Sequence, residues 1–310
     1  MGRPPFKIDI NQHLKPSAQL NHAKLRLARR LIVINGVFYV VLASGELVLG
    51  HLTHAAALMA DGQNNVSGIF SATLLWVGLT YANMPSDAVH REGHWQFESL
   101  AVFLSGLVMI LVGLNCMWGA LKQTWQVLQA GSEHLTLIAV DAAAISGVIL
   151  LIEAGINDYQ GRRTHNSALL ASAKDYLSDA LTSFTTMLVI SVALITHWYL
   201  VDTLSALVIG GYIVICGAQI VSASATRLSN GFEPKRQAEL VKLVTQIPAV
   251  HAVAYLRGRY VGDLIIITMA VQVLPNLTVA ETSEIRQKII MVLTRRYPLL
   301  DCCVAFVPTS

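Results

Sequence analysis

The sequence predicts an α-helical membrane protein: six transmembrane helices followed by a small cytoplasmic α+β domain in the order α-β-β-α-β. Three observations lead there. Hydrophobic residues make up 54% of the 310-residue chain and charged residues only 13%, with a mean hydropathy of +0.54, an apolar excess that no soluble interior of this size would hide. The apolar residues come in blocks of about 20 or more, the length that spans a bilayer core as a helix. After Val221 the blocks stop, and shorter stretches of helical and strand character take over.

The predicted spans are Leu31–Gly50, Ala55–Ala82, Phe97–Leu121, Leu135–Ala154, Ala168–Ile195 and Trp198–Val221. Beyond them, Glu233–Ile247 reads as an amphipathic helix entered at Pro234. Val250–Leu256 and Leu264–Val273 are rich in Val and Ile and read as strands. Thr278–Arg296 has helical spacing of Ile285, Ile289, Ile290 and Leu293, and Cys302–Val307 reads as a last strand. The organisation is a basic arm (1–28), a membrane domain (29–222) and a cytoplasmic domain (223–310).

Arg3, Lys7, Lys15, Lys24, Arg26, Arg29 and Arg30 precede the first span against the single acid Asp9, and Arg162, Arg163 and Lys174 cluster before the fifth. Basic residues favour the cytoplasmic side, so both termini are expected there. The first thirty residues are too polar for a secretory leader. The net charge of +3 sits mostly in this arm, where attraction to anionic lipid accounts for it without nucleic acid as a partner. Cys116 and Cys216 lie in spans and Cys302 and Cys303 are adjacent, so no disulfide framework or paired-cysteine metal motif exists. No glycine-rich phosphate loop appears, so the sequence does not support an ATP-driven pump. Gly106, Gly210 and Gly211 are positions where helices can pack closely.

The chemistry centres on Asp175 and Asp179. They stand four apart in AKDYLSDALTSF, so both carboxylates project from one face of the fifth span. A carboxylate in a bilayer core costs roughly 2.5–3.5 kcal/mol on insertion scales, and it is tolerated where it faces a bundle interior and has a partner. Two like charges a turn apart repel, and a divalent cation between them resolves the conflict. In the second span, ADGQNNVSGIFSATLL carries Asp61, Asn64 and Asn65 near its start, with Asn64 on the face of Gly68. An amide oxygen with two carboxylates is a hard, oxygen-only ligand set, suited to Mn²⁺ or Mg²⁺ rather than to Zn²⁺, whose sites usually recruit His or Cys. The bland alternative makes the acids helix bridges and Asn64 a hydrogen-bonding glue. It would serve for Asn64 alone, but packing seldom needs two acids on one membrane face.

Between the second and third spans, PSDAVHREGHWQFESL places Asp87, His90 and His94 three and four apart, on one helical face or in a tight loop. Such a trio suits a metal, although polar interfacial loops often carry His without one. Glu46, Asp141 and Glu153 are isolated acids in or at the ends of spans, readable as proton relays or as vestibule and helix-end groups, and they are left out of the site.

These residues together resemble the cation diffusion facilitator family: six spans, a small cytoplasmic domain, a metal pair on spans two and five, and an H-x-x-x-H-x-x-x-E pattern that His90, His94 and Glu98 fit. The resemblance runs from about Leu31 to Pro308. It implies a transport site at Asn64, Asp175 and Asp179, in the manner of the manganese-type branch, and a second, regulatory or metal-receiving site at Asp87, His90 and His94. It also implies a homodimer built on a ferredoxin-like cytoplasmic domain, with no cofactor besides the transported cation. Two positions depart. Gly68 stands where the family places an aspartate, leaving water, a backbone carbonyl or Asp61 to complete the shell, and Gln96 replaces a basic residue of the dimer interface. In the cytoplasmic domain the metal-ligand positions hold Ala254, Ala270, Ser283 and Ala305, with His251 and Asp263 nearby.

The expected function is efflux of a divalent metal, Mn²⁺ exchanged for protons by alternating access in a bacterial plasma membrane, and not an enzymatic reaction. The rivals are a carrier of Fe²⁺, Co²⁺ or Mg²⁺ with the same fold, and a scaffold or sensor whose metal site has degenerated.

Overall fold

The computed structural model describes residues 15–52, 56–130, 137–196 and 200–309; the basic arm before residue 15 lies outside them. Six long helices come first: α1 (Lys15–Leu52), α2 (Ala56–Ala82), α3 (Gln96–Ala130), α4 (Leu137–Thr164), α5 (Ser167–Thr196) and α6 (Leu200–Leu228). Among the described residues, stretches of α1, α3, α4 and α5 are each long and apolar enough to cross a membrane. The chain divides into two compact units, one spanning Leu25–Ala225 and one containing Thr226–Ser310.

Within the helical unit the outward residues are apolar, as lipid requires: Val37, Val41, Phe70, Leu111, Ile145 and Leu188 are all exposed. The polar residues turn inward. Helix α4 runs ten residues past the expected end of its span at Ala154, because Glu153, Asn157 and Gly161 recur every four residues and form a buried stripe that hydropathy scores as loop-like. The side-chain amide of Asn157 lies 2.8 Å from that of Asn35 on α1.

Helices α3 and α6 meet through facing glycines. A Cβ at Gly113 would stand 2.9 Å from the carbonyl oxygen of Gly210, and one at Gly217 would stand 2.9 Å from that of Gly106. Only glycine permits this backbone approach, the main source of helix adhesion where lipid removes the hydrophobic driving force. Gly106 and Gly210 thus serve as expected; Gly211 faces open space.

The second unit is α7 (Pro234–Thr245), β1 (Ala252–Val261), β2 (Leu264–Val273), α8 (Val279–Thr294) and β3 (Leu299–Pro308). The sheet order is β1-β2-β3, with β1–β2 antiparallel and β2–β3 parallel across α8. Strand β1 continues five residues beyond the predicted Leu256, since Arg257–Val261 pair with Leu264–Thr268 and the chain turns at Gly262, whose φ is +62°. Proline opens α7, and α8 begins with a capping box in which Thr278 and Glu281 satisfy each other's backbone amides. Leu240, Val244, Ile267, Met269, Ile289 and Leu293 lie at the core between the helices and the sheet.

Candidate metal centres

Helix α5 carries Asp175 and Asp179 one turn apart, and α2 brings Asn64 against Asp179. Asp179 is 5% exposed and Asn64 9%. The Asn64 amide nitrogen donates to Asp179 Oδ1 at 2.9 Å, and Asp175 lies beside the Ser71 hydroxyl, itself 2.7 Å from that of Ser105. Of the three residues expected at the transport site, Asn64 and Asp179 meet in a buried place, and Asp175 stands half-buried one turn away on α5. Binding a cation through the Asn64 oxygen needs only a half-turn of its amide.

A fourth residue stands there that sequence reasoning missed. Tyr39 of α1, 1% exposed, donates its hydroxyl to Asp179 Oδ2 at 2.6 Å. Its ring stacks on Tyr176, centroids 4.6 Å apart and planes 12° from parallel. Gly68 explains how the ring fits, for a Cβ there would collide with it. Where the family's aspartate is lacking, a phenol occupies the space and reaches the same carboxylate. Asp61, a sequence-based candidate to complete the shell, lies beside Glu46 and Ser183 and within electrostatic reach of Asp179.

The loop after α2 holds the second group. Asp87 Oδ1 accepts from the backbone amides of Val89, at 2.9 Å, and of His90. These bonds, that from His90 first, hold the Asp87 carboxyl below the usual carboxylate range. His90 Nδ1 lies 3.2 Å from Asp87 Oδ1 and His94 Nε2 lies 3.5 Å from Oδ2. Ligand atoms of the three residues fall within 4.8 Å of one another. His94 Nδ1 faces the Pro85 carbonyl oxygen at 3.1 Å, and since a carbonyl only accepts, the ring proton sits on Nδ1 and Nε2 is left as the ligand atom. The tight-loop alternative holds, as residues 83–95 are not helical. Glu98, the third member of the histidine pattern, is turned away into the bundle, where it accepts from Asn166 at 2.7 Å. Asn166 also caps α5 through the Leu169 amide.

In the cytoplasmic unit Ala254, Ala270 and Ala305 offer no ligand, and Asp263 is engaged by Arg227 at 2.6 Å.

A bundle of membrane-length helices with Asp179, Asn64 and Tyr39 hydrogen-bonded in its interior has the architecture of a cation carrier. Comparison with known proteins makes this specific. Residues 32–229 match the model of the cation efflux transmembrane domain and residues 233–306 that of the cation efflux protein cytoplasmic domain, a dimerisation module. The chain is 31% identical over 251 residues to the manganese efflux system protein MneS of Bacillus subtilis, covering 81% of this chain and 85% of that one. It is 32% identical over 275 residues to the uncharacterized transporter YdbO of the same organism, covering 86% and 91%. The magnetosome protein MamB of Paramagnetospirillum magneticum is 22% identical over 249 residues, covering 78% and 81%. The chain belongs to the cation efflux, or cation diffusion facilitator, family, and it is a divalent-metal efflux transporter rather than an enzyme.

Proposed function

We propose that the chain exports Mn²⁺ in exchange for protons, working as a homodimer in a bacterial plasma membrane with both termini in the cytoplasm. The observation that carries the ion is the ligand set: Asn64, Asp175, Asp179 and Tyr39 offer oxygen and no imidazole or thiolate. Oxygen-only sites favour Mn²⁺, Mg²⁺ or Ca²⁺ over Zn²⁺. The similarity to a manganese efflux protein supports the same ion.

The hydrogen bonds suggest how the cation leaves. Tyr39 and Asn64 supply Asp179 with two donors, so the carboxylate keeps partners as metal departs and is not stranded in a medium where an unpaired charge is costly. Protonation of Asp175 or Asp179 removes the charge that holds the ion, which ties metal release on one side to proton uptake on the same side as the bundle alternates.

The test is uptake into proteoliposomes under a pH gradient, with Mn²⁺, Zn²⁺, Fe²⁺ and Mg²⁺ compared. Mn²⁺ flux that needs the gradient and is lost in Asp175→Ala supports the exchanger. Equal flux without a gradient removes the proton coupling, preference for another ion removes manganese, and no flux of any ion favours a scaffold.

A further inference from the structure

A second buried polar cluster lies next to the transport site and takes no part in it. Gly62 of α2 sits against α1 so closely that a Cβ there would meet Glu46 Cβ and the Leu47 backbone nitrogen, each at 3.1 Å. That approach sets Glu46 beside Asp61. Glu46 is 3% exposed, Asp61 2%, Asn65 and Ser183 0%. Asn65 donates to Glu46 Oε2 at 2.6 Å, and the Ser183 hydroxyl lies beside Asp61.

The cluster is short of positive charge. Glu46 Oε1, both Asp61 oxygens, Asn65 Oδ1 and Ser183 Oγ make no hydrogen bond of good geometry among the described residues, and only the hydroxyls of Ser146 and Ser183 stand near the two carboxylates. Buried polar atoms are rarely left so, and a buried carboxylate pair least of all. Ser183 and the Asn65 amide oxygen are neutral ligand atoms in the same place, so the group is more than a pair of acids. Five hard oxygens from four side chains match what a divalent cation of the Mn²⁺ or Mg²⁺ type takes.

Its position follows from helix geometry. Asn64 meets Asp179, and Asp61, one turn back along α2, meets Ser183, one turn on along α5, as antiparallel helices require. At 1.5 Å per residue, the four residues from Asp179 to Ser183 advance about 6 Å along α5, and those from Asp175 to Asp179 the same. The polar groups thus form a ladder at Asp175, Asp179 and Ser183, each rung one turn from the next. The last rung lies toward the α1–α2 connection, away from the loop that carries His90.

We propose that Glu46, Asp61, Asn65 and Ser183 form a second oxygen-ligand station for the transported divalent cation, one helical turn beyond Asp179. The ion passes between two stations a step apart, so it leaves the first without crossing bare apolar wall. This rests on the reading of Asn64, Asp175 and Asp179 as the first station.

The test counts Mn²⁺ bound to the full chain in lipid nanodiscs from the loss of the free-ion paramagnetic resonance signal, in a His90→Ala/His94→Ala background that silences the loop. Two ions per chain are expected. Glu46→Gln/Asp61→Asn leaves one, and the ion retained at Asp175 and Asp179 certifies that this variant is folded. Asp175→Asn/Asp179→Asn removes the other. Ser183→Ala keeps both but weakens one about tenfold or more, as lost supporting contacts do at metal sites, which provides a test if the double variant does not fold. A background chain that binds one ion, unaffected by Glu46→Gln/Asp61→Asn and by Ser183→Ala, overturns the station and leaves the pair as protonated carboxyls. A count unaffected by Asp175→Asn/Asp179→Asn but reduced by Glu46→Gln/Asp61→Asn instead overturns the first site while upholding the second.

Discussion

Asp179 and Asp87 are both carboxylates beside potential metal ligands, and they differ in what surrounds them. Asp179 is 5% exposed and held by a phenol and an amide at 2.6 and 2.9 Å, whereas the Asp87 side chain is 52% exposed and held mainly by amides of its own loop. In the bundle, the polar side chains come from α1, α2 and α5, and few alternatives exist when one is lost. In the loop, water and salt share the work, and local hydrogen bonds set the geometry. The donor atoms differ accordingly: oxygen alone in the bundle, imidazole and carboxylate in the loop. The first should govern whether transport happens, and the second how readily metal is captured.

The largest effect that would break this contrast is at Asp179. Asp179→Ala removes a ligand and the acceptor that Tyr39 and Asn64 share. Mn²⁺ flux in proteoliposomes should fall by about 100-fold or more, exceeding the 10- to 100-fold that supporting residues usually contribute at metal sites. Flux within a few-fold of native would mean that the buried site is not the path.

Next comes Tyr39. Tyr39→Phe keeps the stack on Tyr176 and loses only the hydroxyl, so affinity for Mn²⁺ should drop about 10- to 100-fold, read by calorimetric titration. Restoring the family's carboxylate tests the exchange of phenol for acid directly. Gly68→Asp alone should lose flux, because the ring occupies the space, while Gly68→Asp combined with Tyr39→Ala should regain most of it. Failure of the combination to outperform Gly68→Asp would separate Tyr39 from the missing ligand.

Asp175 and Asp179 were legible because two acids in an apolar run admit few explanations, and Asn64 because it shares the helix register of the family motif. Tyr39 was not. In GVFYVVL it is one aromatic among apolar neighbours, and its role exists only once α1 packs against α2 and α5. Glu46 looked isolated for the same reason, its partners Asp61 and Asn65 lying on another helix. The helices were readable from hydropathy where lipid faces them. The end of α4 was not, since its buried polar stripe resembles a loop in composition. Likewise Arg257-Gly258-Arg259 resembled a turn until pairing with β2 made it strand.

Asn166 is where the two regions are joined, since it caps α5 and donates to Glu98 at the start of α3, just after the loop. Asn166→Ala should lower stability by about 1–3 kcal/mol, the cost of a lost cap and a lost buried hydrogen bond to a carboxylate. Thermal unfolding in detergent would register this as a lower midpoint. An unchanged midpoint would mean that loop and transport helix are anchored independently.

The smallest effect belongs to the loop. His90→Ala/His94→Ala should change the Mn²⁺ concentration for half-maximal flux by less than about tenfold and leave the maximal rate near native, since an exposed site adds little that solvent does not supply. Its pH response has a defined sign. The Asp87 carboxyl is held low, so it contributes stability above the ordinary carboxylate range and loses it only as pH falls through its depressed value. Between pH 8 and pH 5 Asp87 therefore stays ionised, and any loss of metal from the loop over that range does not come from its carboxyl. Metal titration in an Asp175→Asn/Asp179→Asn background, with the Asp87 carboxyl followed by carbon NMR, should show affinity falling while the carboxyl resonance holds still. A resonance that moves with the affinity would place the titrating group at Asp87, making the loop as dependent on its carboxylate as the bundle is on Asp179.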